Sequence, residues 1–278
     1  MSSKAAASLH ALLFLIACPV ILIFTGPLTR TVSPEAGPLL VGSIASALTF
    51  ALTLLFVRWD GLRLRDIGAA ATAGTTSRLA FGLAIGIVLV ALQDLVIYCG
   101  GHAHWVRDTS RPSSLILLAL AGYAALALRE ELAFRGYPLR RLEAAWGMWP
   151  ALILITVAFT LEHAAGGWTW SRTLLGPPAG ALLFGMAALA TRGLALPLGI
   201  HAAFNFAQWF MGQKETAGPF RLIVDPGFSN RAETLGYAAY LAGTLIATFA
   251  FWLWHTRRAP QYGVKGRRAD IYEPRPKA

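Results

Sequence analysis

Eight long apolar stretches follow one another along the chain, separated by short segments rich in charged residues, Gly or Pro. They cover residues 9–26, 38–57, 79–99, 114–131, 149–164, 174–191, 193–211 and 234–255. A helix needs about 20 predominantly apolar residues to cross the hydrocarbon core of a bilayer. The pattern therefore predicts an all-α fold, a polytopic membrane helical bundle with about eight transmembrane helices.

The composition favours a single membrane-embedded domain. Hydrophobic residues make up 56% of the chain and charged residues 14%, and the mean hydropathy is +0.55. Soluble domains carry about 25% charged residues, so an ordinary soluble fold is excluded. We expect one integral membrane domain over residues 1–258. Residues 259–278 are rich in basic residues, Pro and Gly, which predicts a flexible basic tail.

The net charge of +10 bears on topology. The basic residues are scattered through short loops and the tail, without a nucleic-acid recognition motif, so the lipid bilayer is the expected partner and nucleic acid is not. Placing the N-terminus in the cytoplasm puts 17 of the 24 Lys and Arg residues on the cytoplasmic side. Cytoplasmic loops are enriched in these residues. The count predicts that both termini and the tail are cytoplasmic, although a count restricted to the loops, without Arg257, Arg258 and the tail, leaves only 10 against 7.

The fourth apolar stretch ends in a cluster of charges, Arg129-Glu130-Glu131 followed by Arg135. Ionisable groups at membrane depth are costly, so they are rare unless they are paired or used. Residues four apart share a helix face, which predicts an ion pair between Glu131 and Arg135. Glu130 points elsewhere and is left as a free carboxylate. The same charges could also form a purely structural ion-pair patch where a helix ends.

Two later apolar stretches each carry a polar site. Phe159 and His163 lie four residues apart in the fifth, and His201 and Asn205 four apart in the seventh. A single histidine in such a helix is more often satisfied by a hydrogen bond across the bundle. A carboxylate, two imidazoles and an amide together, however, can activate water and stabilise an oxyanion. Asp94, in the third stretch, could line the same cavity or pair with a residue on another helix.

Three motifs resemble those of the CPBP family, the CAAX prenyl endopeptidases and bacteriocin-processing proteins also called the ABI family. The first, Glu-Glu-x-x-x-Arg followed by Gly, matches residues 130–136. Phe-x-x-x-His matches Phe159 to His163, and His-x-x-x-Asn matches His201 to Asn205. Each motif alone is weak, but three in order on separate apolar stretches are specific. The resemblance covers residues 115–210.

The resemblance implies an eight-span bundle with a cavity open to the cytoplasm and a glutamate-type intramembrane protease without a cofactor. In that family pattern Glu130 is the general base for a water also held by His163 and His201. Asn205 stabilises the tetrahedral oxyanion. Glu131 and Arg135 hold the first motif in place, while Phe159 packs beneath the site.

Two alternatives stay open. Glu130, His163 and His201 are also ligand types that suit zinc, which would make the hydrolase metal-dependent. The fold could instead serve as a non-catalytic membrane immunity or partner-binding protein.

For the enzyme, the expected substrate is a membrane-anchored protein or peptide cut near its anchor or in a C-terminal tail. The Ala-, Arg- and Gly-rich composition suggests a bacterial inner membrane, where prenylated substrates are scarce.

Overall fold

The computed structural model describes residues 3–110, 112–214, 216 and 218–258. The predicted tail, residues 259–278, lies outside this range, so the division of the chain at residue 258 stays a prediction. Ten α-helices make up most of the described chain: α1 (Ser3–Thr25), α2 (Gly37–Trp59), α3 (Thr75–Gly100), α4 (Ser114–Glu130), α5 (Tyr137–Trp146), α6 (Met148–Ala165), α7 (Trp170–Leu175), α8 (Pro177–Thr191), α9 (Ala195–Phe210) and α10 (Ser229–Arg258). A 3-10 helix covers Gly26–Thr31, and a π-helical turn, Glu131–Gly136, joins α4 to α5.

The prediction of an all-α polytopic bundle is confirmed. Each of the eight predicted stretches overlaps a helix, and six helical stretches in the described part of the chain are long and apolar enough to cross a membrane. The other two predicted spans correspond to α4 and α9, with 17 and 16 residues. At 1.5 Å per residue they are only about 25 Å long. Helix α4 ends at Glu130, the first residue of the first motif, and α9 carries the third motif.

Small residues bring α3 and α9 into close contact. A Cβ atom at Gly82 would lie 2.3 Å from the carbonyl oxygen of Leu196, and one at Gly199 would lie 2.3 Å from that of Leu79. No larger residue fits at either position without moving a backbone. Close approach of this kind lets membrane helices gain packing contacts. It fixes α9, and with it the third motif, against the longer α3.

Helix α5 was not predicted. It begins next to Pro138, a residue suited to the first turn of a helix, and ends at Gly147, whose φ of +90° favours glycine. Arg140, Arg141 and Glu143 make its ten residues too polar for a membrane span. The sequence pattern therefore resembles a loop, but the helix is largely buried within the bundle.

The two ends of the bundle differ. At one end, here called the α5 end, Trp146 Nε1 donates a hydrogen bond to Ser8 Oγ of α1 at 2.8 Å. At the other, the strand end, β1 (Ala103–Arg107) and β2 (Phe220–Val224) pair antiparallel, with Trp105 opposite Leu222. This strand pair was also missed, because two five-residue strands between long apolar stretches give no separate signal.

Candidate active site

Glu130 and His201 face each other inside the bundle. Glu130 is the last residue of α4, and His201 lies in the middle of α9. Glu130 Oε2 is 3.6 Å from His201 Nε2. The Glu130 side chain is 21% exposed, whereas the neighbouring Glu131 side chain is completely buried. The two adjacent carboxylates therefore occupy different environments, because the Glu130 side chain is partly exposed and the Glu131 side chain is not.

Glu131 contacts two of the predicted site residues. Its Oε1 lies 2.9 Å from His201 Nδ1 and 3.6 Å from Arg135 Nη1. The pairing with Arg135 is the one that the four-residue spacing predicted, whereas the bond to His201 was not foreseen. A carboxylate accepts, so Nδ1 carries the proton that it donates to Glu131. In a neutral ring, Nε2 is then an acceptor that faces Glu130.

Arg135 is surrounded by aromatic rings. Its guanidinium carbon lies 4.4 Å from the ring centroid of Phe159, 5.3 Å from that of Phe184 and 5.7 Å from that of Phe134. Phe184 also stacks on the His201 ring at 4.4 Å. Cations are attracted to aromatic faces, most strongly when water is excluded. Phe159 and Phe184 thus both pack against the Arg135 guanidinium, and Phe184 is an addition that no motif indicated.

His163 lies near the end of α6 and interacts electrostatically with Glu130. Its Nδ1 is 2.9 Å from the carbonyl oxygen of Phe159. A carbonyl oxygen only accepts, so Nδ1 carries the proton and Nε2 is left as an acceptor. His163 and His201 therefore have the same tautomer, each fixed by a bond on the side away from Nε2.

Asn205, one turn after His201, meets a residue from outside the motifs. Its Oδ1 accepts a hydrogen bond of 2.9 Å from the Nζ atom of Lys214, in the loop between α9 and β2. Lys214 also interacts electrostatically with Glu130. Lys214 could not be predicted as a site residue, because it is a single basic residue in a connecting loop and belongs to none of the three motifs.

A buried ion pair lies directly behind the site. Both Nη atoms of Arg129 donate to the Glu162 carboxylate, and Nη2 also donates to the carbonyl oxygen of Cys18 at 3.0 Å. Arg129 precedes Glu130, and Glu162 precedes His163. The pair therefore ties α1, α4 and α6 together next to two of the predicted catalytic residues.

Asp94 pairs with a loop residue and not with a residue on another helix, the pairing that the sequence analysis considered. It accepts a hydrogen bond from Gln213 Nε2, which precedes Lys214 in the loop after α9. Trp105 Nε1 donates to the carbonyl oxygen of Met211 at 2.8 Å. The loop is thereby held to α3 and β1 as well as to Asn205.

Residues 112–207 match the family described as Rce1-like, type II CAAX prenyl endopeptidase. The matched segment covers 96 of the 278 residues of the chain. The match runs from the start of α4 into α9 and includes all three motifs, which confirms the resemblance to the CPBP family. Searches of curated proteins and of solved structures found no match to the chain.

The segment that follows Glu130 closes the candidate site on the side of the α5 end. Every residue from Glu131 to Leu142 is buried. On the opposite side, the ring of Trp168 packs edge-on against His163 at 4.9 Å, and the exposed connection 166–169 follows. Lys214 reaches Asn205 from the same side. The exposed connection 166–169 and the loop that carries Lys214 therefore lie on the side of the site that faces the strand end.

Two expectations of the sequence analysis concern the side on which the site opens. The count of basic residues predicts that the strand end lies outside the cytoplasm, whereas the resemblance implies a cavity open to the cytoplasm. The side from which substrate enters is therefore also a test of the topology.

The metal-dependent alternative requires several ligand side chains that converge on one point. Within the described ranges, no group of three or more His, Cys, Asp or Glu side chains is placed to hold one metal ion.

Proposed function

We propose that the chain is an intramembrane endopeptidase that hydrolyses a peptide bond near a membrane anchor or in a C-terminal tail. The observation that carries this proposal is the pairing of Glu130 with His201. Two acceptors, Glu130 Oε2 and His201 Nε2, lie 3.6 Å apart, and the Glu130 side chain is partly exposed. Rce1-like proteins form a protease family, which supports hydrolysis as the reaction class.

The first step is attack by water. Glu130 and His201 Nε2 accept the two protons of one water molecule in hydrogen bonds, and His163 Nε2 is a further acceptor on the same side. Glu130 takes one proton as general base while the oxygen attacks the peptide carbonyl carbon. The resulting oxyanion accepts a hydrogen bond from Asn205 Nδ2. The tetrahedral intermediate then collapses, and Glu130 returns the proton to the leaving amine.

The surroundings keep these groups in place. Glu131 holds the His201 ring through Nδ1, and Arg135 neutralises Glu131 inside an aromatic enclosure. Positioning of this kind lowers the barrier because the reacting groups need no rearrangement during the reaction. In this scheme no step requires a metal ion, so activity should survive exhaustive chelation.

The substrate is a membrane-anchored protein or peptide. The family description names prenyl endopeptidases, while the Ala-, Arg- and Gly-rich composition favours a bacterial tail or bacteriocin-like peptide without a prenyl group. Paired peptides with and without a farnesyl group distinguish these substrates. Cleavage of only the farnesylated peptide would overturn the proposal of a substrate without a prenyl group.

We place the protein in a bacterial inner (plasma) membrane with both termini in the cytoplasm. This orientation puts Thr216, in the loop beside the site, on the outer face. Thr216→Cys, introduced after Cys18 and Cys99 are replaced by Ala, should react with a membrane-impermeant maleimide added to intact cells. Labelling only after the cells are opened would reverse the orientation.

The proposed activity is tested by quantitative proteomics of cells that produce the wild type or Glu130→Gln at equal levels. Gln keeps the shape and removes the base. Glu233→Gln, the same change at an exposed residue of α10, is the matched control. We expect a few membrane-anchored proteins to lose a terminal segment with the wild type and the control, but not with Glu130→Gln. Identical proteomes for all three would favour the immunity or partner-binding alternative.

A further inference from the structure

Asn205 is bonded in a way that determines which of its two amide atoms faces the site. Its Oδ1 lies 2.9 Å from the ammonium nitrogen of Lys214. An ammonium group has three donors and no acceptor, so the amide atom that faces it must be the oxygen. Asn205 Nδ2 therefore points away from Lys214, and it donates to no residue in the part of the chain that the structure describes.

Without such a partner, an asparagine amide can rotate by half a turn at little cost. An oxyanion needs a donor, and an amide that presents its oxygen would repel it. Lys214 removes this ambiguity, since rotation would place the Nδ2 donor against an ammonium group.

The charges at the site also leave a role for Lys214. Among the buried carboxylates nearby, Glu131 is paired with Arg135 and Glu162 with Arg129. Glu130 interacts with the charges of Arg129 and Arg135, and Lys214 adds a further positive charge near it. Lys214 thus supplies positive charge on the side of the site where Asn205 lies.

We propose that Lys214 is a positioning residue for the hydrolysis: it holds Asn205 with Nδ2 turned toward the oxyanion. This inference rests on the proposed function. Lys214 acts through Asn205 and touches neither the substrate nor the water in this scheme.

The charge of Lys214 depends on pH. Burial lowers the pKa of its ammonium group from 10.5 to about 8, and the nearby Glu130 carboxylate opposes this shift. The titratable groups on the neighbouring helices are Glu130 of α4, His163 of α6 and His201 of α9, while Asp94 of α3 is engaged by the adjacent Gln213. Lys214 is charged below pH 8 and becomes neutral above it, so its hold on the Asn205 oxygen weakens as the pH rises.

The test uses the full chain in lipid nanodiscs and a peptide that spans a cleavage site found by the Glu130→Gln comparison. Lys214→Met keeps the length of the side chain and removes its donors. We expect kcat to fall about tenfold or more, with KM changed by less than about threefold, because the loss concerns the transition state. Lys214→Arg keeps the charge and the donors, and should stay within about threefold of the wild type.

A double-mutant cycle with Asn205→Ala separates positioning from other effects. In the Asn205→Ala background, Lys214→Met should change kcat by less than about twofold, because no amide is left to orient. Equal losses in both backgrounds would overturn the proposal and assign Lys214 to the charge of Glu130 alone.

The pH profile and the loop provide two further controls. The wild-type kcat should fall as the pH rises through about 8, whereas Lys214→Arg should keep its activity there. A fall in both proteins at the same pH contradicts the proposal. Gln213→Ala removes the loop contact with Asp94 but leaves the bond between Lys214 and the Asn205 amide. The same loss of kcat in Gln213→Ala as in Lys214→Met would therefore also contradict the proposal.

The failure of this inference can be distinguished from the failure of the proposed function. If the wild type cleaves the peptide and the Lys214 variants match it, only this inference fails. If the wild type cleaves nothing, the proposed function fails first.

Discussion

Two clusters of buried polar groups lie at different depths of the same bundle. At the α5 end, Asp60 accepts a hydrogen bond from Tyr137, lies 2.7 Å from His10 Nδ1 and forms a 2.7 Å ion pair with Arg141 Nε. Beside it, Arg140 donates to the carbonyl oxygen of Ala188 at 2.7 Å. The Asp60 carboxylate thus has three polar partners, and Arg141 Nε, which makes no hydrogen bond in the described part of the chain, is compensated by its close ion pair with Asp60.

The cluster around Glu130 is bonded less completely. Oε2 of Glu130, Oε2 of Glu131 and all three guanidinium nitrogens of Arg135 are buried without a hydrogen-bond partner in the described part of the chain. Arg135 has an ion pair at 3.6 Å and three aromatic faces in place of hydrogen bonds. Buried polar groups are normally satisfied, so exceptions call for an explanation such as a catalytic role.

The difference teaches how to separate structural from functional charges in a membrane protein. Both clusters contain Glu or Asp, His and Arg, so composition does not distinguish them. The saturated cluster around Asp60 stabilises the packing of α1, α2 and α5. The unsaturated cluster around Glu130 keeps free bonding capacity, which a water molecule and a peptide can use.

The largest expected effect comes from a histidine in each cluster. His201→Gln removes the ring between Glu130 and Glu131, and should lower kcat by about 10³-fold, within the range of general acid–base contributions. His10→Gln, in the Asp60 cluster, should leave kcat of the folded protein within about threefold. Similar losses of kcat in both variants would show that the two clusters do not differ in function.

A second prediction concerns the buried ion pair behind the site. Arg129→Met leaves the Glu162 carboxylate buried and unpaired, and should destabilise the protein by about 3–5 kcal/mol. Thermal unfolding in detergent measures this loss. Arg192, which is 47% exposed and pairs with Glu143 at 2.6 Å, offers the control. Arg192→Met should cost about 0–1 kcal/mol, because solvent screens the pair; equal losses would contradict the contrast between buried and exposed pairs.

Asp60→Asn probes the saturated cluster directly. The variant weakens the ion pair with Arg141 and should lower the free energy of unfolding by about 1–3 kcal/mol, the range for unsatisfied buried groups. Its kcat, measured on the folded fraction below the unfolding temperature, should stay within about threefold of the wild type. A loss of kcat without a loss of stability would move Asp60 into the functional cluster.

The smallest effect is a pH dependence of stability from Glu143. Burial alone would raise the pKa of this carboxyl, but Arg140 and Arg192 outweigh burial and hold it below its ordinary value of 4.5. A lowered pKa in the folded state stabilises the protein above the unfolded-state pKa, and this contribution is lost as the pH falls through the folded-state pKa. Unfolding temperatures between neutral and acidic pH should therefore fall less for Glu143→Gln than for the wild type. Parallel curves would show that Glu143 makes no such contribution.

The fold was largely predictable because each membrane-spanning helix requires a long run of apolar residues in the sequence. All eight predicted stretches overlap helices. Helix α5 was missed because its polar groups are satisfied by distant residues, as Arg141 is by Asp60, and hydropathy alone does not register such partners. The π-helical turn Glu131–Gly136 was missed as well, since its sequence also fits an α-helix.

The candidate site was predictable only within single helices. Spacing indicated the Glu131–Arg135 pair, which lies on one continuous segment. The bonds from His201 to Glu131 and from Lys214 to Asn205 join different elements, and no periodicity in one segment contains them. The family motifs indicated Glu130, His163, His201 and Asn205. The tautomers of the two histidines and the orientation of the Asn205 amide, however, could be assigned only from the three-dimensional structure.

The central claim is that Glu130 is the general base for peptide hydrolysis. Its most direct test is kcat/KM of the purified Glu130→Gln variant relative to the wild type, in nanodiscs and metal-free buffer, on a peptide cut by the wild type. Loss of a general base predicts a decrease of about 10³-fold or more, with an unchanged unfolding temperature. Wild-type kcat/KM in the Gln variant, or a wild type that works only after metal is restored, would contradict the account.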